Sequence, residues 1–394
     1  MDYLQSLSMK LQSLVVFRAL MHDKVLRLLP PMLSLAGKSP EERLARYSNF
    51  VSALFCENEN LTDYIFGCLC SDQNIYAVKR ARKQDINPAL RQCVSNELKV
   101  LEEAARLEAR QVIAAVGYGG YLPEWQNRPL DFAKEYEHRL NNVSRLGYGI
   151  FARHRMFFVE DKRIVPIAHP DPVRLSELIG YENERRAVVE NTLALLNGRP
   201  AANVLLYGDA GTGKSSTVKA VVNEYAHEGL RLIEIRKNQL SDIPAVVERL
   251  HDNPLKFILF IDDLSFSCGE DFGGLKAVLE GTARAKAPNI AIYATSNRRR
   301  LINETFSSRD GDDIHKSETI QEQVSLSERF GLPVNFARPG KEEYLYIVRG
   351  LAAQYGLRDT GGIDQRAERY ALSRGGRSPR VARQFVERLK SMEH

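Results

Sequence analysis

The stretch Gly208-Asp209-Ala210-Gly211-Thr212-Gly213-Lys214-Ser215 decides how the rest of this sequence is read. It fits G-x-x-x-x-G-K-[ST] without a gap. An apolar run, Val204-Leu205-Leu206-Tyr207, precedes it, and a predicted helix from Ser216 to Tyr225 follows. Strand, glycine-rich turn, helix is the context in which this pattern carries chemistry. The glycines let main-chain N–H groups converge on phosphate oxygens with no side chain in the way. The helix start adds partial positive charge at the same point. On this reading the loop from Gly208 through Asp209, Ala210, Gly211, Thr212 and Gly213 to Ser216 cradles nucleotide phosphates. Lys214 brings a full charge to the β- and γ-phosphates, and Ser215 offers its hydroxyl to Mg²⁺.

Further apolar runs follow at Leu232–Ile235, Phe257–Ile261 and Ile290–Ala294, with a last one, Pro333–Phe336, expected near a sheet edge because of its proline. Continuous apolar strands separated by helical stretches predict an α/β fold whose parallel sheet is covered on both faces. The third run ends in Asp262-Asp263, 48 residues after Lys214. A carboxylate at the end of an apolar strand needs a partner. Beside a phosphate loop, Asp262 reads as the metal-side acid and Asp263 as the group that orients or deprotonates an attacking water; a helix cap is the plainer alternative.

Working outward, the sequence before about Val116 reads as helical. Leu11, Leu14, Val15 and Leu20 share an apolar run. Ser39-Pro40-Glu41-Glu42 is a helix start with Ser as N-cap and Glu three residues on. Asn87-Pro88 opens a helix predicted to run through Leu98, Leu101, Ala105 and Val112 to Gly117. Tyr118, Tyr121 and Trp125 sit in a glycine-rich stretch read as a packed loop. Met156–Val159 and Ile164-Val165 look like a short hairpin, and His169-Pro170-Asp171-Pro172 is a linker signal. The expected organisation is a mainly helical N-terminal domain over 1–150, a hairpin and linker over 151–171, an α/β nucleotide-binding core over 172–338 and a helical lid over 339–394.

Composition agrees with a soluble globular chain. Of 394 residues 44% are apolar and 27% charged, and net charge is +5. No run approaches the roughly 18 apolar residues of a membrane span, and Met1-Asp2-Tyr3 lacks the basic start of a secretory signal. Five cysteines (Cys56, Cys68, Cys70, Cys93, Cys268), none in a C-x-x-C pair, read as reduced thiols. Together these features predict a cytoplasmic protein with no membrane partner.

The motifs beyond the phosphate loop resemble those of AAA+ ATPases, in family order, over residues 172–394. Leu178-Ile179-Gly180-Tyr181-Glu182 resembles the segment that lies against adenine, which implies contacts from Ile179 and Gly180. Thr295-Ser296-Asn297 resembles sensor 1, with Asn297 reaching the γ-phosphate or its water. Ser327-Glu328-Arg329-Phe330-Gly331 resembles the arginine-finger segment, and Gly376-Arg377-Ser378-Pro379-Arg380-Val381-Ala382 resembles sensor 2. The combination of these segments with Ile261-Asp262-Asp263-Leu264-Ser265 is most similar to a bacterial AAA+ family of unknown function, described as ATP-binding. The resemblance implies a P-loop core, ATP with Mg²⁺ as ligands, hydrolysis to ADP, and self-association in which Arg329 acts in trans and Arg380 from the lid. One departure stands out. The second acidic residue is usually Glu in the broad AAA+ pattern and here is Asp263, one methylene shorter, which keeps open a slow ATPase or a non-hydrolysing nucleotide-gated scaffold.

Other arginines compete for the finger role: Arg298, in Arg298-Arg299-Arg300, and Arg309. Between residues 366 and 390, eight basic side chains face two acidic ones, Glu368 and Glu387. A solvated lid surface is the plain reading of that imbalance, and a nucleic-acid-facing patch of a DNA-associated loader-like ATPase the sharper one. The segment after the second strand, Arg236 to Pro244, has no aromatic residue and no glycine, which argues against a threading unfoldase. The chain stops at His394, so a C-terminal winged-helix DNA reader is not expected. The expected outcome of the nucleotide cycle is remodelling of a protein or protein–nucleic-acid client.

Overall fold

The computed structural model describes residues 2–265, 273–280, 287–297, 328–357 and 361–393, and the chain divides into two compact units, Met1–Arg153 and His154–His394. Cys268, Arg298, Arg299, Arg300, Arg309 and Ser327, the first residue of the expected finger segment, lie outside the described residues.

The first unit is built of helices. Ser39 caps the helix Pro40–Phe55 reciprocally: its hydroxyl accepts from the Glu42 N–H, and the Glu42 carboxylate accepts from the Ser39 N–H. The helix predicted from Asn87 to Gly117 is broken into Pro88–Ala105 and Ala109–Val116. The break has a tertiary cause. The Ala105 carbonyl accepts from Thr62 Oγ1 and Asn127 Nδ2, and the Leu107 carbonyl from Trp125 Nε1 and Asn127 Nδ2, at 2.7–3.0 Å. These donors satisfy carbonyls that a continuous helix would have bonded internally. Trp125 is buried against Tyr47 and Phe50, whereas Tyr121 is 88% exposed, so the glycine-rich loop is packed at one end only.

The second unit holds a seven-stranded sheet: β1 (Met156–Glu160), β2 (Arg163–Pro166), β3 (Val204–Gly208), β4 (Leu230–Glu234), β5 (Lys256–Ile261), β6 (Ile290–Ser296) and β7 (Leu332–Phe336), in the order β2-β1-β4-β5-β6-β3-β7. Every pairing is parallel except β1 with β2. Every residue of β6 is buried, and all of β5 after its first. Successive side chains point to opposite faces, so both faces are covered. β7 lies at the edge, where Pro333 leaves no central ladder bond unmade.

The hairpin expected to connect two domains is instead part of this sheet. β1 runs parallel to β4, with Met156 opposite Leu232 and Phe158 opposite Glu234. Its two-residue turn, Asp161-Lys162, has φ of 46° and 60°, the paired left-handed geometry that matches strand twist. Met156 and Phe157 are almost fully buried, which ties the hairpin to the core rather than to a linker.

The register fixes the site. Tyr207 on β3 lies opposite Ser296 on β6, and Ile261 on β5 opposite Ala294 on β6. The carboxyl ends of the three strands therefore open on one rim, the usual location of ligand sites in parallel sheets. Three lid helices, Lys341–Gln354, Ile363–Ser373 and Pro379–Lys390, close the chain and share one apolar cluster with the strands.

Candidate nucleotide site

The rim leads into a cleft of about 460 Å³. The loop after β3 forms its floor. Gly208 has φ of 131°, and a Cβ there would stand 2.2 Å from the Phe336 carbonyl oxygen, so only glycine fits. Gly213 faces open space but has φ of 91°, a backbone turn that aims the next N–H groups into the cleft at the start of the helix Lys214–Tyr225.

Lys214 is buried. Its ammonium donates to the Gly208 and Asp209 carbonyls at 2.8 and 2.7 Å and to Asn297 Oδ1 at 3.3 Å. Burial lowers its pKa, and the nearby Asp209, Asp262 and Asp263 carboxylates oppose that shift. The Asp209 carboxylate is turned away from the loop's own amides and accepts the Arg338 N–H at 3.1 Å.

Asp262 and Asp263 follow β5. Asp262 Oδ1 accepts two short hydrogen bonds, from Ser215 Oγ and from Thr295 Oγ1, both at 2.6 Å. Asp263 occupies the left-handed region at φ 53°; its N–H donates to Thr295 Oγ1 at 2.9 Å, and its Oδ1 accepts from Asn297 Nδ2 at 3.0 Å. The two carboxylates thus have different partners. One is joined to the loop, the other to the residue that ends the neighbouring strand.

The far end of the cleft is apolar, lined by Leu178, Ile179, Tyr181, Phe336, Ile347 and Leu351. Tyr181 stacks on Phe336 at 5.2 Å and donates its hydroxyl to the Ala337 carbonyl at 2.6 Å. Gly180 shapes this end from behind: its N–H donates to Glu182 Oε1 at 3.1 Å, and its carbonyl accepts from the Arg185 guanidinium, whose pKa burial lowers. The lid closes over the loop through the Arg380 N–H, which donates to the Gly211 carbonyl at 3.1 Å.

Of the residues expected to act together, Ile179, the loop from Ala210 to Ser216, Asp262, Asp263, Asn297 and Arg380 line this one cleft. Gly180, Gly208 and Asp209 support it without lining it. Arg329 is half-buried and does not line the cleft of its own chain. Sequence reading missed Arg185, Ile347, Leu351 and Arg383 as cleft residues, and placed Thr295 only within the segment resembling sensor 1 without a role of its own. Arg383 had a signal, since three residues after Arg380 on one helix places both on one face. Ile347 and Leu351 had none, because their spacing is that of any core-facing helix.

A planar apolar slot, a glycine loop with a buried lysine and a carboxylate joined to the loop's hydroxyl fit the base, phosphates and cation of a nucleotide. Hydroxyl and carboxylate oxygens are hard ligands suited to Mg²⁺, which is usually held by one or two protein groups plus phosphates. Among the described residues no cluster of three or more His, Cys, Asp or Glu forms a complete protein cage for a metal.

The sheet order, the phosphate loop and the lid define an AAA+ P-loop core preceded by a mainly helical N-terminal region. Residues 151–393 match the family described as "Protein of unknown function (DUF815)", and the chain belongs to that family. Curated relatives include the replication factor C large subunits of Thermofilum pendens, 29% identical over 136 residues, and Sulfolobus acidocaldarius, 29% identical over 126 residues. The matches cover 32% and 30% of this chain and 32% and 29% of theirs, so the chain spans about a third of the length of these relatives. Similar solved structures include the Thermotoga maritima RuvB Holliday junction branch migration motor, with 17% identity and a TM-score of 0.39, covering 56% of this chain and 65% of that one. Among the described residues no helix is long and apolar enough to cross a membrane.

Proposed function

We propose that this chain binds Mg-ATP in the cleft and hydrolyses it to ADP slowly, as an oligomer whose neighbouring copy contributes Arg329. The observation that carries the reading is the convergence of Lys214, the Ser215–Asp262 pair and the Asp263–Asn297 pair on one rim above an apolar slot. The adenine enters the slot between Ile179 and the lid. The loop amides and Lys214 hold the β- and γ-phosphates. Ser215 donates its hydrogen bond to Asp262, so its hydroxyl lone pairs would be the ones that face a bound cation. Bound Mg²⁺ neutralises charge on the phosphates.

Asp263, held by Asn297, orients the attacking water. Its short side chain and the bond to Asn297 both favour slow turnover, because the carboxylate must reach farther and exchange a partner. Arg380 reaches the phosphates from the lid. Arg329 lies outside its own cleft, and an arginine finger acts from next door. The cycle is coupled to remodelling of a protein or protein–nucleic-acid client in the cytoplasm. The relatives named as replication factor C subunits support an assembly that works on DNA. Within the basic lid, however, Arg377 is paired with Glu368 and Arg374 lies over Tyr370, so part of that charge is used internally.

Phosphate release measured across protein concentration tests this. Turnover per chain should rise with concentration. Arg329→Ala should keep nucleotide affinity and lose turnover by about 10³-fold, the lower end for a finger. Nucleotide binding with no release at any concentration would instead establish a nucleotide-gated scaffold.

A further inference from the structure

Thr295 is 2% exposed and lies on β6, beside the two carboxylates and two residues before Asn297 in the segment that resembles sensor 1, where no role of its own is implied for it. Its single hydroxyl makes two bonds whose directions are fixed. The Asp263 N–H can only donate, so Thr295 Oγ1 accepts it at 2.9 Å. An ionised Asp262 carboxylate can only accept, so the same hydroxyl gives its one proton to Asp262 Oδ1 at 2.6 Å. The β-branched side chain has few χ1 rotamers, which favours keeping Oγ1 between these two partners. The Leu264 N–H, donating to the Thr295 carbonyl at 2.7 Å, closes the strand end on the far side.

Two consequences follow from this proton count. Asp262 Oδ1 is saturated by Ser215 and Thr295, so Oδ2 is the oxygen left for a cation or its water. Asp263 sits in a left-handed conformation that a non-glycine residue adopts at a cost, and the Thr295 oxygen holds the N–H that defines it.

Resting on the Mg-ATP reading above, we infer that Thr295 is a positioning residue that sets the metal-side orientation of Asp262 and the turn at Asp263 through one hydroxyl. It acts through the carboxylates and touches no phosphate.

The test uses the full chain and a fluorescent ATP analogue, titrated in EDTA and then with increasing Mg²⁺. Thr295→Val removes the hydroxyl at nearly constant shape, and Thr295→Ser keeps it. The inference predicts that Thr295→Val leaves metal-free affinity within about twofold and raises the Mg²⁺ concentration needed for half-maximal tightening by about tenfold or more, the range for a lost bond to a charged group. Thr295→Ser should stay within about threefold of wild type on the same scale. Should the valine variant not fold, Thr295→Ala carries the same prediction. Wild-type Mg²⁺ dependence in the hydroxyl-free variant overturns the inference. So does equal loss in the serine variant, which would assign the residue a packing role. Failure of the wild-type chain to bind the analogue would defeat the Mg-ATP reading itself, a separate outcome.

Discussion

Gly208 shows how one residue joins the phosphate loop to the edge strand β7. A side chain there would meet the Phe336 backbone at 2.2 Å, and Phe336 is also the ring on which Tyr181 stacks. Gly208→Ala should therefore destabilise the fold by about 3 kcal/mol, as strain at a special backbone site does. Urea unfolding checks this; a midpoint equal to wild type would mean that β3 and β7 part easily. At this scale Gly208, Lys214 and Ser215 were legible because their chemistry is local: eight consecutive residues name their own backbone needs. The direction of Asp209 was not, since its partner Arg338 lies 129 residues away. Thr295 could be placed in the segment resembling sensor 1, but its bonds to Asp262 and Asp263 could not be read, as they form only when β5 is laid beside β6.

Among elements, the lid helix Pro379–Lys390 binds the loop through its first turn. Ser378 caps it by accepting the Val381 N–H at 3.2 Å, and the Arg380 N–H reaches Gly211 at 3.1 Å. The main-chain bond places the helix, and in the proposed function the exposed Arg380 side chain is then the group that reaches the phosphates. Arg380→Ala should thus leave the unfolding midpoint unchanged and reduce turnover by about 10²-fold, the loss typical of one charge-stabilising donor. A thermal melt alongside phosphate release separates the two, and a shifted melt would mean that the side chain is structural. Four of the parallel strands described after residue 200, β3 to β6, could be read from continuous apolar runs, because strands buried on both faces carry no polar alternation to confuse with helix; the edge strand β7, where Pro333 and Asn335 are exposed, was legible from Val334 and Phe336. The hairpin's partner could not be read, since β1 is a short apolar segment whose pairing with β4 is set by the sheet. The helix break at Arg106–Glu108 was equally invisible, because it depends on donors from Thr62, Trp125 and Asn127.

At the level of the whole molecule, the α/β unit and the helical unit differ in chemistry. The first unit has its own apolar core and buried polar contacts, such as Glu97, which accepts the Val15, Val16 and Phe17 N–H groups at 2.7–3.1 Å. Such contacts stabilise a unit and identify no ligand, which is why this half of the sequence spoke of fold and not of client. Arg329, outside its own cleft, belongs to this scale as well, because the role proposed for it requires a second copy. All of these roles rest on occupancy of the cleft by a nucleotide. Isothermal titration of the full chain with ATP in Mg²⁺ measures that directly. The account predicts saturable heat with one nucleotide per chain, abolished by Lys214→Ala in a protein that still folds. Absence of binding by the wild-type chain at millimolar Mg-ATP, or unchanged binding by the Lys214→Ala variant, would contradict it.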